Sequence, residues 1–307
     1  MTNQLSRRSL LQAGSASSCL LANSSVFASK DLPAAPRVDM HLHCFAGTTD
    51  KRFPYHPRAP YRPENKATPE HLLSCMDSAG VDYAVVVHPE PYQDDHRYLE
   101  HCTKLGKGKL KGTILLFADR DGSVEKMPEL CKKIDVVAVR VHAYAADRLP
   151  PFGSPELRQL WKMATDNNLA LQLHFEPRYA PGFETLIREF SQTQVIIDHL
   201  GRPFQGTPKE HAVVVRWARF DNTVMKLSSI PSTRSYPHRD IRPVIRQLTR
   251  AWGADRMICG GGFGADVTGA SYRAAFERTR SYIDHLSSED QAKILGKTAV
   301  RIFRFGA

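Results

Sequence analysis

Eight short apolar runs recur along the chain, and segments with helical spacing of apolar residues separate them. Most of the runs are nearly continuous in Val, Ile and Leu, which is typical of strands buried on both faces of a parallel sheet. They cover Arg37–His43, Tyr83–His88, Lys111–Ala118, Val136–His142, Ala170–Phe175, Gln194–Leu200, Thr223–Ser228 and Arg256–Gly261. Strand and helix alternating eight times predict the α/β class and a single-domain (β/α)8 TIM barrel.

Three of the intervening helices have clear start signals. Thr68-Pro69-Glu70 and Ser154-Pro155-Glu156 each combine an N-cap with a proline in the first turn, and Ser287-Ser288-Glu289 opens the last helix. An open doubly wound sheet is the alternative fold, but no Gly-x-Gly-x-x-Gly follows an early strand. Residues 46–67, rich in Pro, Arg and aromatics, predict a long loop over the active face of a barrel.

Polar side chains follow the strands at their carboxyl ends, which form the active face of such a barrel. His41 and His43 are two residues apart, so both imidazoles point to the same side of the first strand. The later strand ends carry His88, Arg140, His142, His174, Arg178, His199, Arg202, Lys226 and Ser228. One such histidine is more often structural than functional, but several converging on one face predict a metal or proton-handling site. For His88 and His142 both alternatives stay open.

The first 28 residues read as an export signal rather than as part of the barrel. Arg7 and Arg8 form a twin-arginine motif, a small-residue and apolar stretch follows, and Val26-Phe27-Ala28 is an acceptable cleavage site. The apolar stretch is too short and too rich in Ser and Gly to make a stable membrane span. We therefore expect a signal over 1–28, a barrel over 29–307, and a periplasmic or secreted protein.

The net charge and the cysteine content limit the classes of ligand and of structural site that the chain can have. The net charge is +10 and falls to +8 without the signal, which carries two arginines and no acid. No block of Lys and Arg interleaved with aromatics occurs, so the charge favours a small anionic substrate or an ordinary basic surface over nucleic acid. Five cysteines remain beyond the signal, widely spaced and without Cys-x-x-Cys, which argues against a disulfide framework and a cysteine zinc site.

Four segments resemble the amidohydrolase superfamily, in particular the branch that contains 2-pyrone-4,6-dicarboxylate lactonase. They are Val38–Phe45, Asp198–Pro203, Met225–Ser228 and Ile294–Phe303, in the same order along nearly the whole chain. The block Asp198-His199-Leu200-Gly201-Arg202-Pro203 is the most specific of the four.

The resemblance implies roles for particular residues. His41, His43 and His174 match positions that hold a divalent metal, Zn or Mn, in many members, although the lactonase branch does not always need a metal. His199 matches the sixth-strand histidine that polarises the substrate carbonyl or moves a proton. Arg202 and Lys226 match motifs that hold substrate carboxylates, and Arg140, Arg178 and Ser228 are further candidates for substrate binding.

The eighth strand departs from this resemblance. Members read Gly-Ser/Thr-Asp there, and the Asp is the general base, whereas this chain reads Gly260-Gly261-Gly262. Glycine has no side chain to take a proton from water. Asp266, four residues further on, is the candidate replacement.

The sequence therefore predicts a hydrolase of a carboxylate-bearing lactone or similar cyclic ester, with its activity in doubt because of Gly262. Two alternatives stay open: a barrel that binds its ligand without hydrolysing it, and a metal-dependent decarboxylase. Substrate identity and oligomeric state are not determined by these patterns.

Overall fold

The computed structural model describes residues 35–306, so the predicted export signal lies outside the described residues. Eight parallel strands form one sheet in sequential order and nearly close into a barrel. The strands are β1 Val38–Leu42, β2 Tyr83–Val87, β3 Leu110–Leu115, β4 Val136–Ala143, β5 Ala170–Phe175, β6 Val195–Ile197, β7 Thr223–Leu227 and β8 Met257–Cys259. The predicted (β/α)8 fold is confirmed.

Contacts between β8 and β1 bring the two ends of the sheet together. The Gly261 amide donates to the Asp39 carboxylate at 2.7 Å, and the Cys259 thiol lies 3.8 Å from the Val38 carbonyl oxygen. A Cβ atom on Gly260 would lie only 2.4 Å from the His41 nitrogen. Glycine at position 260 therefore lets the eighth strand approach the first.

Helices follow the strands around the outside of the barrel. They are α1 Pro69–Ala79, α2 Arg97–Gly106, α3 Met127–Lys133, α4 Pro155–Asp166, α5 Glu184–Glu189, α6 Pro208–Arg216, α7 Arg242–Trp252, α8 Gly269–Ser281, α9 Ser288–Ala292 and α10 Thr298–Phe303. The predicted starts of α1, α4 and α9 are confirmed, since Thr68, Ser154 and Ser287 each cap the amide three residues on. A single π-helical turn, Lys293–Lys297, joins α9 to α10.

The strands are buried on both faces, as their continuous apolar runs predict. On β2, Ala84 and Val86 belong to the main apolar cluster, while Val85 and Val87 pack in a second cluster that includes Phe303 of α10. Alternate side chains thus enter different layers of the core. Among the described residues, every helix is too short or too polar to cross a lipid bilayer.

The sixth and eighth strands end earlier than the sequence predicts. The run to Leu200 yields a strand that stops at Ile197, because His199 and Leu200 take left-handed backbone angles, with φ of 56° and 60°. The run to Gly261 stops at Cys259. In both places the chain turns sharply beyond the strand, where His199 and Gly261 line a cavity.

Candidate active site

A cavity of about 620 Å³ opens at the carboxyl ends of the strands. The polar side chains in its wall are His41, His43, Tyr61, Asn65, Glu90, Arg140, His142, Tyr144, His174, His199, Arg202 and Ser229. Tyr61 and Asn65 belong to the long loop after β1, in the position predicted for it. Because these residues come from most of the strands, only the closed barrel brings them together.

Five imidazoles form an arc across this cavity, in the order His43, His41, His199, His174, His142. Neighbouring ring centroids are 4.5 to 5.1 Å apart. Burial lowers the pKa of His43 to about 4 and of His199 to about 3, and it places those of His41 and His174 well below the usual value. Burial therefore favours the uncharged form of these four rings.

A buried carboxylate at Asp198 holds two buried cations beneath the arc. Arg140 and Lys226 lie 2.9 and 3.0 Å from the carboxylate oxygens, and the Gln172 amide donates to it at 3.0 Å. Burial alone would raise the pKa of Asp198, but Lys226 and Arg140 hold it well below the usual value. Asp198 therefore stays ionised and fixes the Arg140 and Lys226 side chains.

The loop after β6 places His199 in an unusual backbone conformation. His199, Leu200 and Arg202 all have positive φ, between 53° and 60°, which costs non-glycine residues free energy and is often found at functional sites. The Ser228 hydroxyl lies 2.9 Å from His199 Nδ1 and fixes the orientation of the ring. Ser228 itself is 1 % exposed, and its hydroxyl is committed to this contact.

The end of β8 is held by a buried carboxylate of β1. Asp39 accepts hydrogen bonds from the His41 amide, the Gly261 amide and the Tyr272 hydroxyl, at 2.9, 2.7 and 2.7 Å. Gly262 follows with φ of 149°, and a Cβ at this position would lie 2.8 Å from that of Ala275. Position 262 thus lines the cavity in a conformation that requires glycine.

Glu90 is a site residue that our sequence analysis missed. It lies in a short turn after β2 and accepts hydrogen bonds from His142 Nδ1 at 3.1 Å and from the Tyr144 hydroxyl, with Arg148 at 3.4 Å. Burial raises the pKa of Glu90, but these donors outweigh it and lower the pKa to about 2. The one feature of the sequence that could have identified Glu90 is its position two residues after a strand-end histidine, in His88-Pro89-Glu90. His88 Nε2–H donates to the Gln93 carbonyl oxygen at 2.9 Å, a structural contact.

The predicted substrate-binding residues divide into three groups. Arg202 lines the cavity, half-buried, and none of the ion pairs within residues 35–306 includes it. Arg140 lines the cavity but pairs with Asp198, whereas Lys226 is fully buried and does not line it. Arg178 is exposed, pairs with Glu176 and lies outside the cavity wall.

Asp266 does not reach the histidines in this structure. Asp266 is exposed to solvent, and the segment that lines the cavity ends one residue before it, at Ala265. A role for Asp266 as the base would require the loop to move, so this assignment stays a prediction.

The possible metal ligands differ from the predicted set of His41, His43 and His174. Within the described chain, the one group of three that brings ligand atoms within 4.8 Å of one another is His41, Asp198 and His199. Neutral imidazole and carboxylate are suitable donors for Zn or Mn. However, Asp198 already carries two cations at 3.0 Å or less, and a divalent ion would add charge beside them. The site therefore fits a divalent metal poorly, and the ligand roles of His43 and His174 stay predictions.

Comparison with known families identifies the chain. The family model described as amidohydrolase matches residues 38–305, which is nearly the whole described barrel. The chain belongs to the amidohydrolase family. Its barrel, its strand-end histidines and the Asp198–Pro203 segment are the features by which the sequence already resembled that family.

Three relatives show how far this amidohydrolase resembles known proteins. An L-fucono-1,5-lactonase of Burkholderia ambifaria is 24 % identical over 201 residues, which span 62 % of this chain and 68 % of the relative. The crystal structure of a probable 2-pyrone-4,6-dicarboxylic acid hydrolase from Acinetobacter baumannii, with citric acid bound, matches with a TM-score of 0.68 and 19 % identity. That match covers 88 % of this chain and 99 % of the other.

A zinc-bound amidohydrolase from Burkholderia multivorans matches with a TM-score of 0.69 and 15 % identity, over 88 % of this chain and 100 % of the other. At this identity the likeness shows the shared fold and does not transfer the zinc site.

Proposed function

We propose that this amidohydrolase hydrolyses a small lactone, or a similar cyclic ester, that carries at least one carboxylate. The observation that carries the proposal is Arg202, a guanidinium in the cavity wall without an ion-pair partner among the described residues. Burial lowers its pKa, yet arginine stays charged in proteins. A planar guanidinium fork fits a carboxylate through two parallel hydrogen bonds.

His199 supplies the group that polarises the ester carbonyl. When the Ser228 hydroxyl donates to Nδ1, the proton of the neutral ring is on Nε2, from which it can be donated to the carbonyl oxygen. Such a donor is most effective in a buried site, where water does not compete for the developing negative charge. Asp198 stabilises the arrangement by fixing Arg140 next to the same wall.

Two comparisons support a lactone with carboxylates as the substrate class. The relative from Burkholderia ambifaria is a lactonase, and the protein of the same fold from Acinetobacter baumannii was solved with citric acid, a tricarboxylate. We also propose that residues 1–28 direct twin-arginine export, so that hydrolysis takes place outside the cytoplasm.

The test is hydrolysis of 2-pyrone-4,6-dicarboxylate and L-fucono-1,5-lactone, followed by acid release, with and without a chelator. We expect turnover of the carboxylate-bearing lactone, undiminished by the chelator. Arg202→Met should raise its KM about 10- to 100-fold, because a charge-assisted pair is lost, whereas the neutral lactone should be unaffected. The exposed Arg158→Met is the matched control.

Saturable binding of the dicarboxylate without turnover would instead identify the binding protein that the sequence left open. Turnover by the wild type that Arg202→Met leaves unchanged would refute the role of Arg202.

A further inference from the structure

Ester hydrolysis needs a base that takes a proton from the attacking water, and the eighth strand does not provide one. Gly262 has no side chain, and the exposed Asp266 lies outside the cavity wall. Among residues 35–306, Glu90 is the only carboxylate that lines the cavity. Glu90 is therefore the first candidate for a part of the base.

Glu90 is not itself free to accept a proton, because its oxygens are already occupied by donors. His142 Nδ1 lies 3.1 Å from Oε1, and the Tyr144 hydroxyl donates to Oε2. The Glu90 side chain is 10 % exposed and that of His142 is 8 % exposed. A carboxylate held in this way orients the imidazole and stabilises the cation that forms when the ring takes a proton.

His142 has an imidazole nitrogen that can take the proton in such an arrangement. Because Nδ1–H donates to Glu90, the lone pair is on Nε2, and Nε2 is buried and has no hydrogen-bond partner among the described residues. Buried polar atoms without a partner are uncommon and call for an explanation. The ring lies 5.1 Å from that of His174, in the arc that His199 shares, and it lines the cavity.

His142 lies on the side of the barrel opposite Gly262, the position that lacks a carboxylate. His142 is on β4, level with His174 on β5, whereas Gly262 follows β8 half a turn around the barrel. His142 also lines a second cavity, of about 240 Å³, together with Glu90. The pair thus lies in the wall that the two cavities share.

We propose that Glu90 and His142 form a carboxylate–histidine dyad that serves as the general base in place of the missing eighth-strand carboxylate. His142 Nε2 takes a proton from water, and the oxygen of that water forms a bond to the ester carbonyl carbon. The ring C–O bond then breaks, and the proton on His142 neutralises the departing alkoxide. The products are a carboxylic acid, which releases its proton to solvent and becomes a carboxylate, and a hydroxyl group, with Glu90 ionised throughout. This inference rests on the proposed function.

The test compares Glu90→Gln, His142→Gln and the double variant on the lactone that the wild type hydrolyses, either 2-pyrone-4,6-dicarboxylate or L-fucono-1,5-lactone. Each single variant should lower kcat about 100- to 10,000-fold with KM changed less than about threefold. The double variant should lose no more than either single variant, because the two residues act as a unit. Glu184→Gln, a half-buried glutamate bonded to Trp217 away from the cavity, is the matched control.

Thermal melting of each variant separates a lost base from a lost fold. If Glu90→Gln does not fold, His142→Gly assayed with added imidazole replaces it, and partial recovery of turnover supports the dyad. Single variants within tenfold of the wild type, or losses that multiply in the double variant, would overturn it. Loss of activity in Asp266→Asn, with the dyad variants active, would assign the base to the loop. A wild type that hydrolyses neither lactone would overturn the proposed function itself, and the dyad with it.

Discussion

Replacing Gly262 by alanine tests whether the absence of a side chain there is built into this fold. The backbone has φ of 149°, and the new Cβ would lie 2.8 Å from that of Ala275 on α8. Strain of the backbone and crowding of a packed contact each cost about 1–3 kcal/mol, and relaxation of the loop recovers part of this. We therefore expect Gly262→Ala to lower the free energy of unfolding by about 2–4 kcal/mol and the Tm by roughly 4–7 °C.

Urea unfolding of Gly262→Ala, Gly264→Ala and Gly262→Ala/Ala275→Gly measures the two contributions separately. Gly264 is the matched control because a Cβ there meets nothing within 4 Å. Removal of the Ala275 methyl should relieve the crowding and restore the stability lost to it, while the backbone strain remains. The comparison is corrected for the effect of the single variant Ala275→Gly. Equal stability of the 262 and 264 variants would refute the reasoning. A stable Gly262→Asp variant that hydrolyses lactones faster would show that the base was simply absent.

Two further predictions concern the buried ion pairs and the export signal. Asp198→Asn should cost about 3–5 kcal/mol in urea unfolding, because it leaves Arg140 and Lys226 buried without a counter-charge; breaking the exposed Lys133–Glu129 pair by Glu129→Gln should leave the stability nearly unchanged. The pKa of Asp198 is held below its usual value in the folded protein. The stabilisation by its ion pairs is therefore present above about pH 4 and is lost as the pH falls through the pKa of Asp198 in the folded state. A loss of stability on Asp198→Asn that stays the same in acid would contradict this. Replacing Arg7 and Arg8 by lysine should leave the precursor in the cytoplasm on fractionation, and normal export would refute twin-arginine targeting.

Most of the site histidines were predictable because they lie at strand ends or directly beyond them. His41, His43, His174 and His199 lie in the arc because the carboxyl ends of parallel strands meet at one edge. Arg178 was placed in the site by sequence, but it pairs with Glu176 at the surface. Loop backbone is not constrained by periodicity, so a short distance along the chain does not fix a direction in space.

The apolar pattern by itself determined the eight strands, their parallel order and the barrel, because continuous burial on both faces leaves few other arrangements for strands that alternate with helices. It also determined which polar residues stand at the strand ends. Only the tertiary structure decided their partners: that Asp198 holds Arg140 and Lys226, that Glu90 meets His142 from 52 residues away, and that Arg202 forms no ion pair within residues 35–306. These pairings depend on distances across the barrel, which form only when it closes, and local sequence contains no information on contacts of that range.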